Sequence, residues 1–443
     1  MEWGNWFLVI YLGGWLFFIR AQIKRIHKIG PATMVMITYC AYGVFALLYY
    51  NSSSTYFSTN EKLTFIPFVY LFTMLCIALA PGIYYERADI RYVKKASSSI
   101  IDTFIIVYFI CSLVHLPSIL PKIPEGIALM LLEEQGGLEL YLENSEQVLR
   151  ASDNSISGLL GLTSIFRNVF RDIIIFLLFY YLALREKKTK YIVIILFTVL
   201  VDVLYSLSLG QRNYLIIYLF MIAVGYFLFQ NFIDTNIRKW VKRMGVITVI
   251  LLSIPFIAIT IARFSNSKET TPLDSAIQYA GQAPVNFNLY VFDTQEIRYG
   301  DRTVNLFKKM LGFDVPNDHV EAQSKYTKLK VDDRVFYTFV GDFVLDFGVI
   351  VSALIFLFIT GWFLFLTSAR GHTMRLHQML VLFFSLNICA QGGMYLFSYA
   401  YADNWKIVGY IVFYCILAVD SRNTSSKASN YLTQAPITTT HNP

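Results

Sequence analysis

The sequence predicts an all-α polytopic membrane protein of about eleven transmembrane helices with one large external loop, and three observations carry that expectation. Hydrophobic residues make up 56% of the 443-residue chain and charged residues only 15%, with a mean hydropathy of +0.51. A water-soluble domain of this length has no interior large enough to hide so much apolar surface. Apolar windows of about 20 residues, the length that crosses a hydrocarbon core, recur from one end of the chain to the other. The basic residues fall in short clusters that alternate with acidic or mixed connections.

Taken in order, spans are expected near Trp3–Arg20, Ala32–Tyr50, Thr64–Tyr84, Ser99–Leu120, Gly158–Leu184, Tyr191–Leu209, Tyr214–Phe232, Val246–Phe264, Tyr337–Leu366, Gln378–Phe397 and Ile407–Val419. The first run has no basic residues before it and no small-residue cleavage site after it, so it reads as a span and not a cleaved signal. Arg20/Lys24/Arg25/Lys28, Arg87/Arg91/Lys94/Lys95, Arg185/Lys187/Lys188/Lys190 and Arg238/Lys239/Lys242/Arg243 are each separated from the next by two spans, which assigns them to the cytoplasmic side. Arg370/Arg375 and the tail bearing Arg422 and Lys427 continue the pattern. An odd span count puts the N-terminus outside and the C-terminus inside; one extra or re-entrant segment would bring both inside. The expected organisation is a transmembrane domain over 1–420, an acidic external loop at 121–157, a large external loop at 264–337 and a disordered cytoplasmic tail at 421–443. The acidic loop carries Leu129, Met130, Leu131 and Leu132 among its glutamates, a pattern for short amphipathic helices lying on the membrane. The larger loop greatly exceeds the usual connection of about 4–6 residues, and its many tyrosines and phenylalanines argue for order.

Several functional classes drop out. The net charge of +7 is spread over cytoplasmic connections and does not form a nucleic-acid face. The five cysteines lie in expected spans, which indicates neither disulfides nor a cysteine-based metal site. There is no H-E-x-x-H, Walker loop, G-x-S-x-G or G-x-G-x-x-G, so no metal or nucleotide cofactor is expected. Any chemistry then needs a substrate that carries its own activation.

What remains is charge inside apolar sequence. A guanidinium cannot lose its proton and costs at least about 2.5 kcal/mol at bilayer depth, so Arg167, Arg171, Arg212 and Arg263 should face protein or a wet cavity. Arg167 and Arg171 share a helix face at i,i+4; Asp172 beside them offers an ion-pair partner. Arg212, in Gly210-Gln211-Arg212-Asn213, is placed either to snorkel to headgroups or to grip a phosphate beside a glycine turn. Arg263 ends the span that feeds the large loop. Where that loop re-enters, Gly341-Asp342 and Asp346-Phe347-Gly348 set two aspartates on one helix face, with glycines that allow close helix approach. These aspartates read either as partners of the buried arginines or as a general base. His319 reads as a loop histidine, and Asp332-Asp333-Arg334 as a solvated turn or a weak metal or base site.

This layout resembles the Wzy-type oligosaccharide repeat-unit polymerases of bacterial O-antigen, capsule and exopolysaccharide synthesis. The matching features are Gly210-Gln211-Arg212 opening a span, an arginine-rich outer face, the late external loop, and Tyr337, Gly341-Asp342-Phe343 and Asp346-Phe347-Gly348 beginning the next span. The resemblance implies a GT-C-like plan in the bacterial inner membrane with the active site facing the periplasm. It implies undecaprenyl-diphosphate-linked oligosaccharides as both donor and acceptor, and a chain-length regulator and a flippase as partners. On this reading Arg167, Arg171, Arg212 and Arg263 bind the diphosphates. Asp342, Asp346 or His319 takes the acceptor proton, and Tyr337 and Arg334 orient the glycan. The related O-antigen ligases share the plan but carry a histidine close before the corresponding helix, whereas His319 stands well upstream of Gly341. A flippase or an anion transporter would also use a cationic cavity, but would leave the large aromatic loop unexplained.

Overall fold

The computed structural model describes residues 3–52, 62–124, 126, 159–186, 188–208, 213–247, 272–317, 319–331, 335–394, 396–423 and 431–434. Its helices are α1 (Trp3–Ile26), α2 (Pro31–Tyr50), α3 (Phe65–Arg87), α4 (Ser98–Ile119), α5 (Leu159–Ala183), α6 (Thr189–Ser208), α7 (Asn213–Phe229) and α8 (235–247). They continue with α9 (Pro272–Asn286), α10 (Asn305–Met310), α11 (His319–Lys325), α12 (Thr338–Thr367), α13 (Leu376–Gly392) and α14 (Asn404–Asn423). Ten of the eleven expected windows coincide with helices; most of the Val246–Phe264 window lies outside the described residues. Seven helices among the described residues are long and apolar enough to cross a membrane, and α7 and α13 add shorter apolar helices. The chain is an all-α polytopic membrane protein.

Helix α5 runs through the centre of the bundle. From Ile173 to Ala183 every residue is buried, because α4, α6, α7, α13 and α14 all pack on it. Small residues set the spacing, as expected where apolar packing replaces the hydrophobic effect. A Cβ on Gly225 of α7 would lie 2.3 Å from Phe179, and one on Gly409 of α14 would lie 2.6 Å from the Val169 carbonyl. The outward faces carry large apolar side chains such as Phe17, Ile350 and Phe358, the surface a bilayer solvates.

One face of the bundle gathers the basic connections. Strand β1 (Tyr92–Lys94) pairs in parallel with β2 (Thr373–Arg375) and antiparallel with β3 (Tyr431–Thr433), so the segments after α3, after α12 and after α14 form one small sheet. The tail was expected to be disordered over 421–443; Tyr431–Thr433 departs from that because its backbone completes the sheet edge and Leu432 is buried against it. The opposite face holds Asn5 bonded to Asn51 and Thr64 bonded to Asn288, which puts the two described chain ends on opposite sides.

The segment expected as one large external loop is structured where it is described. Helix α9 packs on α2, with Gly281 so near the Phe45 carbonyl that a Cβ would sit 2.3 Å from it. A π-turn (Phe287–Val291) follows, and Asn286 and Asn288 tie it to the Phe336 and Thr64 carbonyls. A Cβ on Gly341 would lie 2.6 Å from the Tyr337 ring, so the glycine makes room for that side chain, while Phe287 and Val291 of the turn stand at an ordinary 3.4 Å. Gly348 has a different task. At φ 76° and ψ 168° it breaks α12 into a buried first part, Thr338–Phe347, and a lipid-facing second part. Only the second part, about 28 Å from Val349 to Thr367 at 1.5 Å per residue, has the length of a span. That backbone region is essentially restricted to glycine, so Gly348→Ala should cost about 1–3 kcal/mol, read as a lower melting temperature of the detergent-purified protein.

Candidate active site

Two arginines to which the sequence pattern does not point, Arg298 and Arg302, close on the aspartates of the first part of α12. Arg298 is 1% exposed, and Asp342 and Asp346 are 0% exposed. The Arg298 Nε donates to Asp346 Oδ1 at 2.7 Å and its Nη2 to Asp342 Oδ1 at 3.2 Å, while Arg302 Nε lies 2.8 Å from Asp342 Oδ1. Asp346 Oδ2 accepts from the Thr303 N–H and hydroxyl, both at 2.7 Å, and Asp342 Oδ2 accepts from the Phe397 N–H at 2.6 Å. The Tyr337 hydroxyl donates to Asp342 Oδ1 at 3.1 Å. All four carboxylate oxygens are therefore engaged, and none is open to an incoming hydroxyl. Of the two readings open for Asp342 and Asp346, the geometry here is that of partners to buried arginines: they clasp the segment around Arg298 to α12, and Tyr337 is buried in the same clasp. Arg298 and Arg302 stand in irregular and turn backbone, so no periodicity in the sequence marks them.

A second polar layer lies deeper, between the outward halves of α4, α5, α6, α7, α13 and α14. Arg167 donates to Asp202 Oδ1 at 2.5 Å, and Tyr108 donates to Asp202 Oδ2 at 3.1 Å. Arg171 lies 3.6 Å from Asp172 and over the Tyr218 ring, and Lys406 pairs with Asp403 at 2.9 Å. Among the described residues the layer is balanced, with Arg167, Arg171 and Lys406 set against Asp202, Asp172 and Asp403. The reason is the cost of desolvating a charge without a counter-charge. The layer is nonetheless rich in unfilled hydrogen-bonding capacity. Asp172 Oδ1, the Tyr218 hydroxyl and Gln391 Nε2 are buried without a hydrogen bond, while the Tyr410 hydroxyl stands within reach of Tyr399 and Asn387. Asp202, Lys406, Asn387 and Gln391 were not singled out from sequence, since a lone polar residue in an apolar run gives no hint of what it faces.

Tyr399 joins the two layers. Its hydroxyl donates to Asp172 Oδ2 at 2.9 Å, and its carbonyl accepts from Asn404, whose side chain also donates to the Thr303 carbonyl at 2.9 Å and accepts from the Leu306 N–H at 2.9 Å. The external segment is further braced at Asp301, which binds Lys308, Lys325 and Tyr326. Burial pushes the Asp301 carboxyl up, but the hydrogen bonds from Lys308, Tyr326 and Lys325 outweigh it and hold the group below its ordinary value.

Of the residues proposed from sequence, the structure brings Arg167 and Arg171 into one layer and places Asp342, Asp346 and Tyr337 in the clasp. Arg212, Arg263 and Arg334 lie outside the described residues, as do most of the 121–157 loop and the His319 side chain; the His319 backbone begins α11.

Together the fold and these layers define a multi-pass membrane protein with ionic and hydrogen-bonding groups buried between its helices. Residues 4–303, more than half of the chain, match the profile of the family described as O-antigen polysaccharide polymerase Wzy, and the chain belongs to that family. It is thus a glycosyltransferase-type polymerase of O-antigen repeat units. Neither a curated protein nor a solved structure matches the chain.

Two measurements check the geometry. Arg298→Ala leaves the buried Asp346 without its counter-charge, while Asp342 keeps Arg302, and should cost about 3–5 kcal/mol, seen as loss of folded protein in detergent. Because Asp301 is lowered on folding, its bonds stabilise the external segment above the ordinary aspartate value of about 3.9 and are lost as pH falls below it. Protease resistance of residues 298–326 should therefore be flat from neutral pH to about 4 and fall below that, and Asp301→Asn should remove the pH dependence.

Proposed function

We propose that the chain moves a growing glycan from undecaprenyl diphosphate onto the terminal sugar of a second lipid-linked repeat unit, on the membrane face away from the cytosol. The positive-inside rule supports that side, since the sheet face carries the basic connections. The observation that carries the proposal is the deeper layer: Arg171 and Asp172 lie among several buried groups whose hydrogen bonds an oxygen-rich ligand would complete. The reaction breaks the anomeric C–O bond to diphosphate and forms one to the acceptor oxygen; the acceptor's proton goes to a base. Diphosphate is already a good leaving group, so the main demand is to stabilise the charge that develops on it. Fixed guanidiniums in a site shielded from water meet that demand.

In this assignment Arg171 is the main diphosphate ligand, because it stands beside Asp172 in this layer and a guanidinium has donors enough to grip a phosphate while it keeps a carboxylate. Arg167 is held by Asp202 and fixes the layer. Arg212 and Arg263 supply the further positive charge that a diphosphate needs. Asp172, whose Oδ1 accepts no hydrogen bond, takes the acceptor proton in place of Asp342 and Asp346. No metal or nucleotide enters the scheme. Arg171→Lys keeps the charge but loses the bidentate geometry. This variant and Asp172→Asn should each insert normally and lower polymerisation at least about tenfold, the loss of one charge-assisted hydrogen bond. Glycan ladders from a strain carrying each variant then collapse to single repeat units; full-length ladders from both would sink the assignment.

A further inference from the structure

Four large apolar side chains of the external segment stay in the open. Tyr299, Met310, Leu311 and Phe313 are between 58% and 75% exposed, and they form one patch. The Lys308 ammonium donates to the Tyr299 carbonyl at 3.2 Å and stands over the Phe313 ring, while Met310 and Leu311 end the same helix, α10. The backbone beneath the patch is fixed. Gly312, at φ 81°, closes α10 in a Schellman turn, with its N–H on the Lys309 carbonyl at 2.9 Å and the Phe313 N–H on the Lys308 carbonyl at 3.0 Å. In such a turn the residue after the glycine commonly tucks back against the helix, whereas Phe313 stays mostly exposed. A firm turn therefore displays apolar surface that no described residue covers.

The depth of the patch identifies the medium it meets. The Arg298 N–H donates to the Leu345 carbonyl and a Cβ on Gly300 would lie 3.1 Å from the Phe347 ring, so the segment is pinned where the spanning part of α12 begins. The Arg302 carbonyl accepts from the Tyr401 N–H and the Leu306 N–H donates to Asn404, so α10 starts level with the first turn of α14. The far ends of both spans lead into the small sheet. The patch thus sits at the membrane boundary opposite the sheet, level with the exposed Ile350 of α12 and Trp405 of α14, the latter a residue type that favours this boundary. We infer that Tyr299, Met310, Leu311 and Phe313 are an interfacial anchor, seated between the headgroups and acyl chains of that leaflet. Lys309 is exposed beside them and holds Asn317 with one N–H, which leaves its other donors for lipid phosphates. Asp314, directly after the patch, is exposed and marks its water side. The anchor fixes the tilt of the segment that carries Arg298 and Arg302, so the bilayer as well as the clasp sets where those arginines lie. It does not rest on where transfer takes place, and all of it except Tyr299 lies beyond the residues that match the family.

The test uses the full-length protein in nanodiscs of phosphatidylcholine and phosphatidylglycerol. Leu311→Trp adds one reporter to the chain's six tryptophans, and the signal is its difference from the wild type. The added emission should be blue-shifted, quenched by phospholipid brominated near the head of its acyl chain, and shielded from aqueous iodide. Thr327→Trp, exposed on the same segment but outside the patch, should show the reverse. Both positions are exposed, so neither substitution disturbs packing. Iodide quenching of the Leu311→Trp reporter, or the same behaviour at both positions, overturns the inference. A photoreactive phenylalanine analogue in place of Phe313 gives an independent readout in whole cells. It should yield adducts with phospholipid. Adducts with a second copy of the chain or with another protein, or an absence of lipid adducts, would mean that protein or water meets the patch instead.

Discussion

The clasp between Arg298 and the Asp342/Asp346 pair holds the outer half of the molecule together. It fastens three stretches distant in sequence: the segment around Arg298–Thr303, the first part of α12, and the connection between α13 and α14 through the Phe397 N–H. From that connection Tyr399 reaches Asp172 in the central helix, so the clasp and the deeper polar layer form one hydrogen-bonded structure. A buried ion pair of this kind contributes little net stability, because desolvation offsets most of the Coulomb attraction. Its value here is in fixing one arrangement, since any slip of the external segment would strand a charge in a dry interior.

The two layers divide the work that charge does inside this protein. In the clasp every carboxylate oxygen has a donor, and the groups are spent on holding backbone in place. In the layer around Arg171 the charges also balance, yet the Tyr218 hydroxyl, Gln391 Nε2 and one carboxylate oxygen of Asp172 remain without hydrogen bonds. A buried polar group without a partner is costly, about 1–3 kcal/mol each, and a cluster of them between membrane helices is hard to account for by packing alone. That contrast, more than the presence of charge, is why the proposed transfer site is put in the deeper layer.

Much of this was legible in the residues. Arg167 and Arg171 are four apart in an apolar run, and helical periodicity alone puts them on one face; the structure keeps them together. Gly341 reads as a residue for close helix approach, and the neighbour it makes room for is the Tyr337 ring. Asp342 and Asp346 were legible as a pair but not in their role, since spacing says that two groups share a face and nothing about what lies opposite. Arg298 and Arg302 sit in a stretch that reads as polar external loop, where arginine is commonplace, so the sequence sets neither apart. Gly348 was read for its missing side chain when its positive φ is what matters, and a dihedral angle leaves no trace in hydropathy.

The sequence by itself determined the solvent, the helices and the order of faces, because these follow from composition, 3.6-residue periodicity and the placement of lysine and arginine, all local properties. Its resemblance to the polymerase family was likewise readable from a few motifs and the late external loop. Only the tertiary structure decided which charges are consumed by one another and which keep hydrogen-bonding capacity. Ionic pairing between Arg298 and Asp346, or between Arg167 and Asp202, joins residues tens of positions apart. Whether a carboxylate is a strut or a reactive group depends on the last few ångströms around it, and those are set by packing among helices that the linear order does not place side by side.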